Sequence, residues 1–538
     1  MGGFMEGQGC GKKYNADKIL KYCIVFYFII YFLTGLCIYK DYGVTVDEER
    51  QRLRSLVSYK YINEVLWNRE MPELEEIPEM SEQNHGYYGT AMQMPTAFIE
   101  DMHGFAMTTR EVYLMRHLYN FIVCFAGYIC FYFALRKIFA GNRLYAFAGT
   151  LIVSLYPRFF GYQFTDVKNL IFAALNMAVL LVLVYLVEKE SWLRVILFGI
   201  VAALATNQRV MAVIYPVFLF GYWGIRDLTQ LLKYKTAGKH KLLFFGKYPL
   251  AGISYFLCWI MLSPFAWVHP VISFRKTFQA FSHFQDWNNY MAFMGKLITS
   301  TELPWYYLPV WMGITIPFLY LILFFIGHAA LVVSLKKEGK EWWEKGVLGK
   351  DKWLVCCIGL FWGIVSAIIV LHCKIYESWY HVFFAYVPFT VVAVYGLKFC
   401  AERMNKRVIG ILFGAYTLMT AGWNIYNHPY QQAYFNEIGR PFAHLFERDC
   451  QYADSKELLE WILDHTEGEV SVSGYTLSSL LMPEDEKAHI LKDYEAGEYH
   501  IETFFNVIGN DPVHEGYEEV YVIWVDGYKI GAVYQKTE

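Results

Sequence analysis

The chain has 538 residues, of which 56% are hydrophobic and only 18% charged, and its mean hydropathy is +0.25. Soluble domains average roughly 45–50% apolar and about 25% charged; here the apolar excess is gathered in blocks, which excludes an ordinary soluble globule and points to a bilayer. A net charge of −3 removes any electrostatic case for nucleic acid, and the 11 scattered cysteines, with no CxxC pair, read as lipid-facing or core thiols.

In chain order the apolar blocks run over 19–39, 112–135, 144–156, 167–187, 192–206, 210–224, 248–267, 309–335, 353–371, 382–396 and 408–423. That predicts about eleven transmembrane helices, the shorter ones tilted or borrowing flanking residues. Lys and Arg gather in alternate connections: Lys12–Lys21, Arg136–Arg143, Lys189–Arg194, Arg226–Lys247, Lys336–Lys352 and Lys398–Arg407. By the positive-inside rule these are cytoplasmic, which places the amino terminus inside, the carboxyl tail outside and the protein in the plasma membrane as a multi-pass chain. No small-residue cleavage site follows the first block, so it reads as an uncleaved span.

The opposite side carries long loops over 40–111 and 268–308 and short turns at Pro157–Asp166, Asn207–Arg209 and His372–His381. In the first loop, Leu53, Leu56, Val57, Tyr61 and Val65 recur at helical spacing beside Arg50, Arg54 and Lys60, the pattern of an amphipathic helix on the outer interface. The transmembrane part, 1–423, is followed by a small soluble α/β appendage, 424–538. Ser455–His465 has helical periodicity there. Glu469–Ser473, Glu519–Val525 and Ala532–Gln535 read as strands, and Asp526-Gly527 as a turn.

Charged groups at the outer span ends are few, and ionisable groups at such positions line pathways or sites. Asp47 and Glu48 follow the first span; one carboxylate there can act as general base towards an acceptor, with the other positioning it or capping the helix. Asp166 can cap the helix after the second turn, and it shares a helix face with Asn169. Arg158, Lys168 and Arg209 stand near the same level and can offset charge on a phosphate leaving group. The outer histidines His85, His103, His283 and His381 show no tight ligand spacing. Outer-loop acids could hold Mg²⁺ or Mn²⁺, although no ligand motif requires it.

Four stretches resemble the bacterial branch of glycosyltransferase family 39, the protein O-mannosyltransferase-like enzymes of GT-C fold. They are Thr45-Val46-Asp47-Glu48, Pro157-Arg158-Phe159-Phe160-Gly161, Leu303–Trp311 (LPWYYLPVW) with Ile314-Thr315-Ile316-Pro317, and His428–Glu437 (HPYQQAYFNE). The resemblance implies a GT-C membrane glycosyltransferase that moves a sugar from a polyprenyl-phosphate donor to a protein, lipid or glycan acceptor on the outer face, with inversion. It implies Asp47 as base with Glu48 beside it. Where the family often reads Asn-Pro-Lys-Asp this chain has Asp166-Val167-Lys168-Asn169. Where Arg-His often precedes span ten it has Tyr380-His381, so that the phosphate contact of the Arg is lost or passes to Lys374. These departures leave open an inactive member of the same fold. The competing class is a transporter or lipid-carrier flippase, but such proteins place charged sites near mid-membrane on broken helices related by repeats, and no repeat is visible.

Overall fold

A computed structural model describes residues 6–81, 88–234, 241–282, 290–338, 351–448, 451–452, 454–493, 497–509, 511–512 and 514–537. His85, His283, Lys235, Lys239, Lys340, Lys345 and Lys350 lie outside the described residues.

Each predicted apolar block forms a helix. These are α1 (Glu6–Ile38), α4 (Thr109–Ile138), α5 (Arg143–Ser154), α7 (Asn169–Glu188), α8 (Trp192–Gln208), α9 (Ile214–Tyr234), α10 (Lys241–Met261), α13 (Phe318–Glu338), α14 (Lys352–Val370), α15 (Tyr386–Arg403) and α16 (Lys406–Tyr426). Among the described residues seven helices are long and apolar enough to cross a membrane, while Arg143–Ser154 and Trp192–Gln208 are apolar but shorter. The chain is therefore a multi-pass, mainly helical membrane protein. α7 and α15 are almost wholly buried at the centre, whereas α1 turns Ile19, Tyr22, Val25, Phe26, Ile29 and Leu33 outwards, as a lipid-facing helix must. α13 and α15 approach closely because glycines face each other's backbone. A Cβ on Gly396 would lie 1.9 Å from the Leu323 oxygen and one on Gly327 2.3 Å from that of Val392. Small residues at such crossings let helices pack without a hydrophobic driving force.

Two expectations changed. The predicted span 309–335 is divided into α12 (Tyr307–Thr315) and α13, with Ile316-Pro317 between them. Pro317 has no N–H for the helix ladder and disfavours helical backbone at Ile316. Asn436 meets the carbonyls this frees: its Nδ2 donates to Gly313 O (2.7 Å) and Ile316 O (2.6 Å), and its backbone N–H to Ile314 O (2.8 Å). The expected turn Pro157–Asp166 is a helix, α6 (Pro157–Thr165), with proline in its first turn and nearly every residue buried.

The first outer loop holds two helices. α2 (Val46–Trp67) starts at a capping box and α3 (Met94–Met102) packs against it. The buried face of α2 is more polar than the apolar periodicity suggests: Gln51, Ser55, Ser58 and Asn63 point inwards with Leu56 and Val57, while Leu53 and Val65 are exposed. Polar partners meet most of these side chains: Arg116 Nη2 donates to Ser55 Oγ (3.2 Å) and pairs with buried Glu100 (2.9 Å), Thr90 Oγ1 donates to Ser58 Oγ at 3.0 Å, and Asn63 Nδ2 donates to Tyr59 O at 2.9 Å.

The carboxyl-terminal part contains α17 (Ser455–Asp464), α18 (Glu484–His489) and a five-stranded sheet. Its strands are β3 (Val470–Gly474), β4 (Ile490–Lys492), β5 (Tyr499–Thr503), β6 (Tyr517–Val525) and β7 (Tyr528–Lys536); β1 (Tyr290–Phe293) and β2 (Lys296–Thr299) form a separate hairpin. The order is β4-β3-β5-β7-β6, parallel at β3 and antiparallel around β7. Asp526-Gly527, both at positive φ, turn β6 into β7. The sheet unit docks on the helices through Tyr528 Oη to Ala433 O (2.6 Å), Trp423 Nε1 to Asp526 (2.8 Å) and Lys456 Nζ to Lys40 O (2.8 Å).

Candidate active site

One cleft opens where α8 ends and α15 begins, and Lys168, Arg209, Lys374, His381, Tyr88 and Tyr376 are among its walls. Five segments far apart in sequence meet there because helices α7, α8, α14 and α15 all have an end at this level. The opposite ends carry the basic connections: Lys137 pairs with Glu188 (2.6 Å), Arg226 with Glu190 (2.7 Å) and buried Lys247 with Asp227 (2.5 Å).

The cations differ in how they are held. Nε and Nη2 of Arg209 are buried without a hydrogen-bond partner among the described residues. Lys168 Nζ lies 4.4 Å from the centre of the Tyr88 ring, and the Arg54 guanidinium 4.6 Å from the same ring. Burial brings the Lys168 ammonium down to about 7; Arg209 and Arg54 push the same way, and Asp47 and Asp166 oppose them. His381 Nδ1 lies 3.1 Å from Tyr376 O, which orients the ring between Tyr376 and Tyr380.

The acids adjoin this set. Asp47, half-buried at the start of α2, accepts from Tyr380 Oη at 3.4 Å. Glu377 accepts from Gln451 Nε2, which also donates to Tyr380 Oη at 3.0 Å. Burial, followed by the charge of Asp47, lifts the Glu377 carboxyl to about 8. Glu377, Ser378, Gln451 and Tyr452 all have positive φ, between 53° and 77°. Side chains at such angles cost about 1–3 kcal/mol each and persist where the surroundings over-determine them, often at functional sites.

Asp166 is buried, and its carboxylate accepts the amides of Lys168 (2.9 Å), Asn169 (2.7 Å) and Leu170 (3.1 Å), capping α7. Burial raises it to about 6 despite these bonds, and Asp47 adds to the rise while Arg209 opposes it.

Two expected site residues are placed elsewhere. Glu48 is fully buried; it closes the capping box with Thr45 N (2.8 Å) and lies 3.0 Å from His117 Nε2, on the side of α2 away from Asp47. Arg158 stands behind the cleft in the core. Its Nε donates to Tyr434 O (3.1 Å) and its Nη1 to Ser378 Oγ (3.0 Å), between Trp311 and Phe435. His103, on the exposed end of α3, bonds Ile99 O and is not part of the cleft wall.

Glu377 went unnoticed in the sequence, although it and Lys374 are the two charges in the short turn His372–His381. Arg54, seven residues after Asp47 and so on the same helical face, carried a similar signal. Three of the four motif stretches meet one another as packing: besides the contacts of Arg158 and Asn436, Gly161 abuts Gln432; Tyr42, just before the first stretch, donates from Oη to Gln431 Oε1 at 3.0 Å.

No protein-family model matches the chain, and no curated protein matches it. Among solved structures it is similar to the archaeal oligosaccharyltransferase AglB from Archaeoglobus fulgidus in complex with an inhibitory peptide and a dolichol-phosphate. Identity is 11% and TM-score 0.46, over 88% of this chain and 64% of that one. The oligosaccharyltransferase of the same organism tethered to an acceptor peptide gives 11% and 0.44 over the same shares. Its complex with Zn and sulfate gives 13% and 0.36, over 76% of this chain and 54% of that one. This chain thus spans less than two thirds of the length of these proteins.

Proposed function

We propose that the protein is a family 39-like membrane glycosyltransferase of GT-C type, moving a sugar from a polyprenyl-phosphate donor to an acceptor on the outer membrane face. The observation that carries this reading is the cleft itself, where Arg209, with Nε and Nη2 bonded to no described residue, stands with Lys168, Lys374 and His381 near the Asp47 carboxylate. Ile375 lines both this cleft and a neighbouring, mainly apolar groove with Trp305, Leu308, Ile369 and Val370. A carrier lipid has this shape, an anionic head on an apolar chain.

In this reading the head phosphate sits against Arg209, Lys168 and Lys374 and the chain lies along the groove. As the sugar–phosphate bond lengthens, negative charge grows on the phosphate, and fixed cations in a partly dry site favour the transition state over the ground state. Asp47 takes the acceptor proton, with Tyr380 fixing one of its oxygens. Asp166 holds the start of α7, and thereby Lys168, in place. Asp166 is taken up by the amides of α7, so a divalent ion such as Mg²⁺ or Mn²⁺ would be held by the Asp47 carboxylate together with the donor phosphate and water, as such ions commonly are, and its charge would offset that of the phosphate.

The test is transfer by the full-length protein in detergent from synthetic polyprenyl-phosphate sugars, read as release of polyprenyl phosphate. Asp47→Asn is expected to lower turnover roughly 10²–10⁴-fold, the usual loss on removing a general base, with carrier binding retained. Binding of polyprenyl phosphate without any sugar release would instead indicate a flippase or an inactive relative, and near-full turnover by Asp47→Asn would remove the base assignment.

A further inference from the structure

The outward face of the carboxyl-terminal sheet carries a second cluster, unrelated to the cleft. His500 and Glu502 are two residues apart on β5, so their side chains leave the same face. His514, just before β6, folds over them, its ring 4.7 Å from that of His500 and 4.5 Å from that of Tyr534. Ala532 is the register partner of Glu502 on β7. The three ligand atoms lie within 4.8 Å of one another.

We infer that His500, Glu502 and His514 form a zinc site that ties the connection between β5 and β6 to the sheet. Glu502 Oε2 lies 3.1 Å from His514 Nε2 and 3.9 Å from His500 Nε2. Ligands about 2.0–2.1 Å from a zinc and set tetrahedrally stand about 3.3 Å apart, so these separations bracket those of a shared ion. The close pair is also poorly aligned as a hydrogen bond, since buried His514 Nε2 has none of good geometry.

His500 has the outer support that metal-binding imidazoles usually have: its Nδ1 lies 2.9 Å from Ser473 Oγ, which leaves Nε2 for the ion. All three residues are about four-fifths buried, with side-chain exposures of 25%, 18% and 21%. Two imidazoles and one carboxylate suit zinc better than Mg²⁺ or Ca²⁺, which take oxygen ligands. Three protein ligands leave a fourth tetrahedral position for water or another small donor.

The experiment is titration of metal-stripped full-length protein in detergent with ZnCl₂, with X-ray absorption on the loaded sample. We expect one saturable zinc per chain in the wild type and in Asp47→Asn, with a nitrogen-containing shell at about 2.0 Å and a raised melting temperature reversed by EDTA. Binding is lost in His500→Ala and His514→Ala and weakened about 10- to 100-fold in Ser473→Ala, the usual effect of removing an outer partner. An all-oxygen shell, loss of the zinc in Asp47→Asn, or no saturable zinc would each overturn the site. So would unchanged stoichiometry in both histidine variants. Should those variants unfold, the wild-type absorption shell decides by itself.

Discussion

Nε and Nη2 of Arg209 bond to no described residue, so Arg209→Ala is expected to leave the melting temperature nearly unchanged. Polyprenyl phosphate affinity falls about 10- to 100-fold, the equivalent of one charge-assisted contact of about 1.5–3 kcal/mol. Arg158→Ala behaves in the opposite way. It empties a core position and removes two hydrogen bonds made by a buried cation, costing about 2–4 kcal/mol of stability, and activity follows the folded fraction. Paired melting and binding measurements on both variants separate these outcomes; a stable Arg158→Ala protein with lost affinity would reverse the assignment. Lys168 adds a pH dependence. Its ammonium titrates at about 7 in the free protein, and a bound phosphate anion favours the charged form and raises that value. Carrier affinity therefore falls as pH rises through 7 and beyond; Asp166 and Glu377, raised to about 6 and about 8, add to the fall as they ionise near the phosphate, so Lys168→Met makes the decline shallower without abolishing it. Most of this cationic set is legible in the sequence because charges at outer span ends are scarce. The difference between Arg209 and Arg158 is not. It rests on the Tyr434 carbonyl and the Ser378 hydroxyl, which reach Arg158 from 276 and 220 residues away.

Hydrophobic length located the helices, since a bilayer demands runs of a fixed size, and all eleven blocks formed helices in order. The same signal missed two details that depend on partners. The apolar run through Ile316-Pro317 looks continuous, and its break is tolerable because Asn436, over a hundred residues later, supplies donors to the exposed carbonyls. Pro157–Thr165 looked like a turn because it is short and contains Pro and Gly; its burial follows from packing against Gln432 and Phe383. The crossing of α13 and α15 offers a test at this scale. With a Cβ placed 1.9 Å from the Leu323 oxygen, Gly396→Ala forces the two helices apart, and overpacking of this kind costs about 1–3 kcal/mol or more. α15 bears Tyr386 and follows His381 directly, so the movement also reaches the cleft. The expected result is a lower melting temperature together with reduced transfer, whereas Gly410→Ala, where an added Cβ meets nothing within 4 Å, leaves both unchanged. Equal melting temperatures for the two variants would show that the close approach is not needed.

The whole molecule has two chemically distinct ends. One gathers Lys137, Arg143, Arg194, Arg226 and Lys247, with partners including Asp17, Glu188, Glu190 and Asp227. The other holds the cleft, the long loops and the docked sheet unit. Positively charged connections are retained in the cytoplasm during insertion, so the first end is expected inside and the cleft outside. If all eleven blocks expected from the sequence cross, the amino terminus and the carboxyl-terminal sheet are expected on opposite sides. The contacts are consistent with this arrangement: Lys456 Nζ reaches Lys40 O just after α1, and Val44 N–H donates to Ser478 Oγ at 3.2 Å, so the sheet unit shares the side of the first outer loop. The test is labelling of single cysteines, in a background lacking native ones, by a membrane-impermeant maleimide on intact cells. Cysteine at Glu518, on exposed β6, and at Glu73 in the first loop is expected to react; cysteine at Lys189 or Lys406 reacts only after permeabilisation. Reaction of Lys189 and Lys406 with silence at Glu518 and Glu73 would invert the molecule, and the proposed carrier phosphate would then have to be met on the cytoplasmic face. Labelling of Glu73 but not Glu518 in intact cells would contradict the docking of the sheet unit beside the first loop, because the bonds from Lys456 and Val44 require both to lie in one compartment.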